Sequence, residues 1–238
     1  MDLSTYEQRI YSQNGEDGIT MKLVELLYSE HTDNYYVEFG VQDGQECNTR
    51  ILREKYRWKG LQMDGSNERT DIHLHKEYIT KENVVELFQK YGVPPTIQVL
   101  CVDIDFNDFY CLAEILKSYT CDVLICEYNA THLPDEDKVI VYDATGGWDG
   151  TNYFGGSLLA FTRLANKHGY SLVYCEQKGV NCFFVRTAVL ESKELSFLHQ
   201  DDVSKIYRKP RYGNGPNGGH AMDWRHRVYL SSEEAISQ

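Results

Sequence analysis

The alternation of short apolar runs with helix-length amphipathic segments restricts the fold of this chain more than any other feature. Runs such as 97–102 and 123–126 are strand-sized and almost wholly apolar, which is typical of strands buried on both faces of a parallel sheet. Segments such as 81–91 carry apolar residues at helical spacing instead. The pattern predicts an α/β fold of the Rossmann-like class, with an open, mostly parallel seven-stranded sheet and helices on both faces.

The element boundaries follow from the same pattern. Strands are predicted at 35–39, 60–63, 97–102, 123–126, 171–175 and 182–185, and residues 66–80 are expected to hold a helix and a short strand that ends near 79–80. Helices are predicted at 17–30, 47–56, 81–91, 107–118 and 156–168, and a long loop at 129–153. The turn Gln177–Gly179 is too short for a parallel crossover, so the final two strands are expected to form an antiparallel hairpin.

The length of 238 residues fits a single domain over 1–238. Its core is expected at about residues 10–186, with a C-terminal extension over 187–238. This extension, called the tail below, has no strong periodicity, and its Gly/Asn/Pro segment Gly213–Gly219 suggests a flexible lid.

Bulk composition excludes several classes of protein. A formal net charge of -12 argues against a nucleic-acid substrate, because the phosphates would repel the average surface. The seven cysteines form no C-x-x-C pair and mostly fall in apolar runs, which indicates reduced core thiols in a cytoplasmic protein. No apolar stretch approaches the roughly 20 residues that span a bilayer, so a soluble protein without a membrane span is expected.

The segment Val37–Gly44 is the first candidate binding loop. It lies between a strand and a helix, where open α/β sheets bind ligands. Gly40 can let the backbone approach a ligand, while Glu38 and Asp43 suit a positively charged one. The segment lacks G-x-G-x-x-G, which disfavours a dinucleotide pyrophosphate. S-adenosylmethionine, with an ammonium and a sulfonium, meets these requirements; the alternative is a plain strand-turn-helix corner.

Asp64-Gly65-Ser66 follows the second strand. A carboxylate at this place can accept hydrogen bonds from both ribose hydroxyls of a nucleoside. An Asp-Gly turn is the alternative. Together with the first loop, the segment favours a nucleoside cofactor.

Two further strand ends carry oxygen ligands. Asp103 and Asp105 follow the fourth strand, and Glu127 and Asn129 follow the fifth. Because neighbouring parallel strands end at the same edge of a sheet, these side chains are expected to meet and to suit a hard cation such as Mg²⁺, Mn²⁺ or Ca²⁺. The alternatives are that the acids cap helices or bind the ammonium of the cofactor. His132, in the following loop, is a candidate base or substrate contact, or else an exposed histidine.

Several segments, taken in order, resemble the FkbM-type methyltransferases. The similarity covers roughly residues 10–186, and the matching segments are Tyr11–Asp17, Val37–Gly40, Asp103–Asp105, Glu127–Asn129, Gly155–Leu158 and Asn181–Arg186. The resemblance implies a class I methyltransferase fold and S-adenosylmethionine-dependent O-methylation. Many members act on sugars or glycans, commonly at a 2-hydroxyl of a deoxysugar such as rhamnose.

The resemblance also implies roles for individual residues. Ser12, Gln13 and Asn14 would fold over the cofactor, which Glu38, Gly40 and Asp64 would bind. By similarity to metal-dependent sugar O-methyltransferases, Asp103 would be a metal ligand and Asp105 the general base. Those enzymes place two acidic ligands at the end of the fifth strand, where this chain has Glu127 and Asn129, so Asn129 could supply only its carbonyl oxygen.

The leading hypothesis is therefore a metal-assisted sugar O-methyltransferase. A non-catalytic glycan- or partner-binding module with the same fold is the second hypothesis, which the many carboxylates disfavour. A nicotinamide-dependent oxidoreductase is the third, and the missing glycine fingerprint and the terminal hairpin argue against it.

Overall fold

A computed structural model describes residues 1–29 and 33–238 of the chain. The strands occupy most of the predicted apolar runs: β1 Tyr35–Phe39, β2 Lys59–Asp64, β3 Leu74–Lys76, β4 Thr96–Val102, β5 Thr120–Glu127, β6 Val139–Ile140, β7 Tyr170–Cys175, β8 Asn181–Arg186 and β9 Tyr229–Leu230.

Seven of these strands form one sheet in the order β3-β2-β1-β4-β5-β8-β7. Strands β3, β2, β1, β4 and β5 pair in parallel, and β8 pairs antiparallel with both β5 and β7. The predicted mostly parallel sheet with a terminal antiparallel hairpin is confirmed. Its Rossmann-like topology brings the carboxyl ends of β1, β2, β4 and β5 to one edge.

Helices cover both faces of the sheet: α1 Glu16–Leu27, α2 Arg50–Tyr56, α3 Val84–Lys90, α4 Asp108–Ile115, α5 Leu158–Lys167, α6 Thr187–Ser192, α7 Val203–Ile206 and α8 Ser232–Ile236. Alternate residues of β4 point to two separate cores, with Leu100 in one and Cys101 in the other. Helices α3, α4, α5, α7 and α8 contribute to the first core, and α1, α2 and α6 to the second. The strands are apolar on both sides because both faces are covered.

Some predicted boundaries differ from the structure for local reasons. Helix α2 begins at Arg50 rather than 47, because the backbone N–H groups of Asn48 and Thr49 donate to the Glu38 carboxylate before the helix starts. Helix α4 ends at Ile115 rather than 118, because the chain continues in a 3-10 turn. In that turn the N–H of Ser118 donates to the carbonyl of Ile115, three residues earlier. The predicted end of the first helix at Glu30 lies outside the described residues.

One strand end and one loop differ from the prediction. The region 66–80 contains a 3-10 helix, Thr70–Ile72, followed by β3 as predicted, but β3 ends at Lys76, and Ile79 is buried without belonging to a strand. The loop 129–153 contains β6, which pairs antiparallel with β9 of the tail in a separate two-stranded sheet.

The tail packs on the rest of the chain. Leu190 and Phe197 belong to one core, and Ile206 and Ala235 to the other. Helix α8 begins with a capping box between Ser231 and Glu234. All seven cysteines are free and buried, as predicted for core thiols. Within 1–29 and 33–238, no helix has the length and apolar character needed to cross a bilayer.

Candidate active site

Two cavities lie side by side at the carboxyl edge of the sheet. The larger, of about 330 Å³, is bounded by the ends of β2 and β4, and we call it the nucleoside cavity. The smaller, of about 140 Å³, is bounded by the ends of β1, β4 and β5, and we call it the acidic cavity. Gly40, Gln42 and Asp105 line both, so one extended ligand can occupy the two together.

The nucleoside cavity has a polar and an apolar wall. Asp64, Gly65 and Ser66 line the first, and Ile79 and Phe106 lie in the second. The Asp64 carboxylate is held at the end of β2: Oδ1 accepts from the Ser66 N–H at 2.8 Å and from the N–H and side-chain amide of Asn67, both at 3.0 Å. Among the described residues, Oδ2 accepts only from the Gln42 N–H, at 2.8 Å, and is the oxygen with room for a ligand hydroxyl. A carboxylate fixed in this way beside apolar side chains suits a ribose with an attached base.

The acidic cavity concentrates negative charge. Among the described residues that line it are five carboxylates and no Lys, Arg or His; the carboxylates belong to Glu38, Glu46, Asp103, Asp105 and Glu127. Asp103, Asp105 and Glu127 each place an oxygen within 4.8 Å of the other two. Like charges this close repel one another, so the group favours a bound cation.

The pKa directions agree with this crowding. Burial raises the pKa of Asp103 well above its usual range, and the neighbouring Asp108 and Asp105 raise it further. The pKa of Glu127 is also raised, first by burial and then by Asp103. Burial raises the pKa of Asp105 as well, while His220 opposes the change. A cation at this site would reduce the electrostatic repulsion among these three carboxylates.

The backbone around the cluster is unusual at two positions. Asp105 has φ +64°, in the left-handed region that aspartate and asparagine tolerate better than most residues. Gly40 has φ +80°, and a Cβ there would lie 1.4 Å from the carbonyl oxygen of Asp103. The close approach of the ends of β1 and β4 therefore requires a glycine at position 40, independently of any ligand.

Glu38 is buried and serves the local fold. Its carboxylate accepts hydrogen bonds from the backbone N–H groups of Asn48 and Thr49, both at 2.8 Å, and from the Thr49 hydroxyl at 2.5 Å. These groups precede α2, so Glu38 fixes the start of that helix while also lining the acidic cavity.

The segment Ser12–Asn14 contributes unequally to the site. Ser12 is buried and its hydroxyl donates to Asp17 at 2.7 Å, whereas the exposed Gln13 lines the acidic cavity. Asn14 donates through its backbone and side chain to Glu16. Ser12 and Asn14 thus hold the segment that presents Gln13.

Asn181 is a site residue that sequence analysis used only as part of a motif. It is 2% exposed, lines the acidic cavity and stands opposite Glu127 in the β5–β8 register. Its amide nitrogen donates to Glu16 at 2.9 Å, but its Oδ1 has no hydrogen-bond partner among the described residues. The antiparallel pairing next to Glu127 is the signal that could have identified it.

Three predicted site residues lie apart from the acidic cluster. The side-chain oxygen of Asn129 accepts from Thr131 N–H and hydroxyl, at 3.2 and 2.5 Å, so it is already engaged. Asp43 is exposed, and its carboxylate accepts from the Gln45 N–H at 3.0 Å. His132 is buried and lines a third cavity, described below.

Comparisons with known proteins find distant similarity to solved structures. The sequence matches no protein-family model and no curated protein sequence. The CMeT domain of the citrinin polyketide synthase is similar at a TM-score of 0.41 and 9% identity, over 74% of this chain and 54% of that one. An O-methyltransferase family protein from Burkholderia thailandensis has a TM-score of 0.41 and 8% identity, over 72% and 57%. TnmH has a TM-score of 0.37 and 11% identity, over 72% and 57%.

The chain thus spans little more than half the length of these structures.

Proposed function

We propose that this protein is an S-adenosylmethionine-dependent O-methyltransferase that acts on a sugar hydroxyl with the help of a divalent metal ion. The observation that carries the proposal is the shared wall of the two cavities. One cavity offers a ribose-binding carboxylate beside apolar side chains, and the other offers five carboxylates without a basic residue among its described lining.

S-adenosylmethionine has the matching distribution of chemistry. Its adenosine fits the nucleoside cavity, where Asp64 accepts hydrogen bonds from the ribose, with Gly65 and Ser66 beside it. Its ammonium and sulfonium then lie toward the acidic cavity, where negative charge stabilises both. Gln13 and Gly40 line the acidic cavity beside this part of the ligand. Asp43 lies on the exposed turn of the loop, outside both cavity linings.

Asp103 and Glu127 are the residues that would hold Mg²⁺ or Mn²⁺, with an oxygen of Asp105 within 4.8 Å of both. Carboxylate oxygens are the ligands these ions prefer, and three of them converge here beside the unpartnered Oδ1 of Asn181. A bound ion supplies Lewis-acid polarisation, which lowers the pKa of a hydroxyl that it contacts. The oxygen of Asn129 is not needed for this group, because it is held by Thr131.

Asp105 has the position for the general base. It belongs to both cavities and its side chain is exposed to the site, so an acceptor hydroxyl can reach it. The carboxylate takes the hydroxyl proton while the acceptor oxygen forms a bond to the methyl carbon. The carbon–sulfur bond breaks at the same time, its electron pair stays on sulfur, and a neutral thioether leaves.

The resemblance to FkbM-type enzymes supports a sugar, with the 2-hydroxyl of a deoxysugar in a glycan as the proposed acceptor. The net charge of -12 supports an acceptor other than nucleic acid. The buried free cysteines support action in the cytoplasm, and the packing of the tail supports a single domain over 1–238.

Calorimetry with S-adenosylmethionine and S-adenosylhomocysteine tests the first half of the proposal. We expect both to bind, and Asp64→Ala to weaken both, since it removes the ribose contact. Mass spectrometry of a panel of rhamnosides, fucosides and xylosides with Mn²⁺ or Mg²⁺ tests the second half, and we expect one methyl to be added to one member. Failure of both cofactor forms to bind would favour a non-catalytic binding module instead.

A further inference from the structure

A third cavity, of about 450 Å³, lies between the loop that follows β5 and the tail. We call it the tail cavity. Its volume lies within the usual range for small-molecule sites. Its lining combines polar and charged side chains with a few apolar ones, among them His132, Lys138, His220, Met222, Arg227 and Tyr229. None of the catalytic steps above uses it.

The tail cavity is built by tertiary pairing rather than by one local segment. Strand β6 of the loop pairs with β9 of the tail. Asn152 joins the two further: its N–H donates to Ala221 at 2.7 Å, its side-chain oxygen accepts from Asp223, and its carbonyl accepts from Tyr229. The tail is thereby fixed as one wall of a cavity next to the catalytic edge.

Hydrogen bonds place the tail cavity next to the end of β5. Thr131, in its lining, donates through its N–H and hydroxyl to the side-chain oxygen of Asn129, two residues after Glu127. The Asn129 amide donates to the carbonyl of Asn152, which also lines the cavity, at 2.7 Å. A molecule in the tail cavity therefore lies close to the strand end that carries the acidic cluster.

The permanent positive charges of the cavity are already neutralised. The Lys138 ammonium lies 2.6 Å from Glu136, and the Arg227 guanidinium lies 2.9 Å from Asp223; both carboxylates line the same cavity. Such paired ions offer fixed hydrogen-bond donors and acceptors with no net charge. This suits hydroxyl groups, whereas a diphosphate needs uncompensated positive charge.

His132 has a buried ring nitrogen that is available for a hydrogen bond. The residue is 5% exposed, packs edge-on against Tyr229 at 4.7 Å between ring centroids, and its Nε2 has no partner among the described residues. Burial, with a further contribution from Lys138, lowers its pKa to about 4, so the ring is neutral at neutral pH. A buried polar atom without a partner is costly, and a ligand hydroxyl can supply the missing bond.

We propose that the tail cavity binds the methyl acceptor, and that this acceptor is an uncharged glycoside rather than a nucleotide-activated sugar. The identity of the ligand as an acceptor rests on the proposed methyl transfer; its chemistry rests on the cavity alone. The tail, on this proposal, is the part of the chain that selects the substrate.

Saturation-transfer NMR and calorimetry on the full-length protein test the proposal. The probes are a library of uncharged methyl mono- and disaccharides, together with UDP-, GDP- and dTDP-sugars, at millimolar concentration. We expect at least one uncharged glycoside to bind, and the nucleotide sugars to bind no better than their free nucleotides.

Two cavity variants and one control locate the binding. His132→Ala removes the unmet donor or acceptor, and we expect about a tenfold loss of glycoside affinity, the equivalent of one hydrogen bond. Met222→Ala removes a side chain that is 63% exposed at the cavity, so it is expected to fold normally and to lose affinity severalfold. Leu198→Ala changes a tail side chain of similar exposure, 51%, outside the cavity lining and is the matched control.

Three results would overturn the proposal. They are the absence of binding by every uncharged glycoside, tighter binding of a nucleotide sugar through its sugar, and unchanged glycoside affinity in Met222→Ala. Titration of the same samples with S-adenosylmethionine separates the two proposals. Glycoside binding without cofactor binding would contradict methyl transfer but keep the cavity, and the converse would contradict the cavity alone.

Discussion

Asp105 is the residue on which the proposed chemistry depends most directly. It lies in the wall common to both cavities and adopts φ +64°. Asparagine tolerates this backbone conformation as aspartate does, so Asp105→Asn should fold normally. We expect methyl transfer to fall by about 10²–10⁴-fold, the usual contribution of a general base, while affinity for S-adenosylhomocysteine stays nearly unchanged.

Asp201→Asn is the matched control for this prediction. Asp201 also has a positive φ, of 62°, and its carboxylate accepts from the Leu172 N–H at 2.8 Å, away from the catalytic edge. The same chemical change there should leave the rate unaltered. A steady-state assay with labelled methyl donor compares the three proteins, and full activity of Asp105→Asn would remove Asp105 from the mechanism.

Gly40 lends itself to a stability prediction. Gly40→Ala would place a Cβ 1.4 Å from the Asp103 carbonyl oxygen at φ +80°, so β1 and β4 must separate. Gly92→Ala has a comparable φ, of +67°, but its Cβ would meet nothing within 4 Å. We expect Gly92→Ala to lower the free energy of unfolding by roughly 1–2 kcal/mol, through the backbone conformation alone.

Gly40→Ala should lose clearly more than Gly92→Ala in urea denaturation, because the contact with Asp103 adds to the same backbone strain. Equal losses would mean that the approach of β1 to Asp103 is not tight. The position of Gly40 after a strand predicted that a glycine is needed there to let a ligand approach the backbone. The nearer cause, a carbonyl from another strand, depends on strand order and is invisible in the local sequence.

At the scale of elements, the β7–β8 hairpin depends on a buried carboxylate. Glu176 accepts from the N–H groups of Lys178 and Val180, at 2.6 and 2.5 Å, and burial raises its pKa to about 7. Because this pKa exceeds the ordinary value of 4.5, the native state binds more protons between the two values. Stability from this group is therefore complete at low pH and is lost as the pH rises through about 7.

Glu176→Gln should remove this pH dependence. As the pH rises from about 5 to about 8, the wild type should lose on the order of 3 kcal/mol of unfolding free energy relative to Glu176→Gln. The exposed Glu191→Gln is the control for the loss of one surface carboxylate. Urea denaturation at both pH values measures the difference, and parallel curves for Glu176→Gln and the wild type would contradict the raised pKa.

The elements also show where prediction from sequence stops. Six of the seven strands of the main sheet were found because a buried strand needs an apolar run, as in β4 and β5, whereas the end of β3 was misplaced. Strands β6 and β9 have two residues each, too few to show a period, and they exist only because they pair with each other. The converging acids followed from parallel topology, whereas the tail cavity joins residues of 131–152 with residues of 216–229 and left no local pattern.

The whole molecule carries a net charge of -12, and three carboxylates of the acidic cavity place oxygens within 4.8 Å of one another. Repulsion among Asp103, Asp105 and Glu127 destabilises the native state, so an ion bound there should stabilise the entire fold. We expect Mn²⁺ at about a hundredfold above its dissociation constant to add roughly 2.7 kcal/mol to the free energy of unfolding. For a chain of this length, this raises the thermal midpoint by about 5–10 °C.

Asp103→Asn separates binding at the cluster from general screening. It removes one ligand charge and one repulsion, so its midpoint without metal should lie at or above that of the wild type, while the rise with Mn²⁺ should largely disappear. Asp71→Asn, at an exposed turn, should keep the full rise. Sodium chloride of equal ionic strength provides the ionic control, because screening acts on all variants alike. An equal Mn²⁺ response in the wild type and Asp103→Asn would place the ion elsewhere on this acidic surface and leave the cluster to the sulfonium and ammonium of the cofactor.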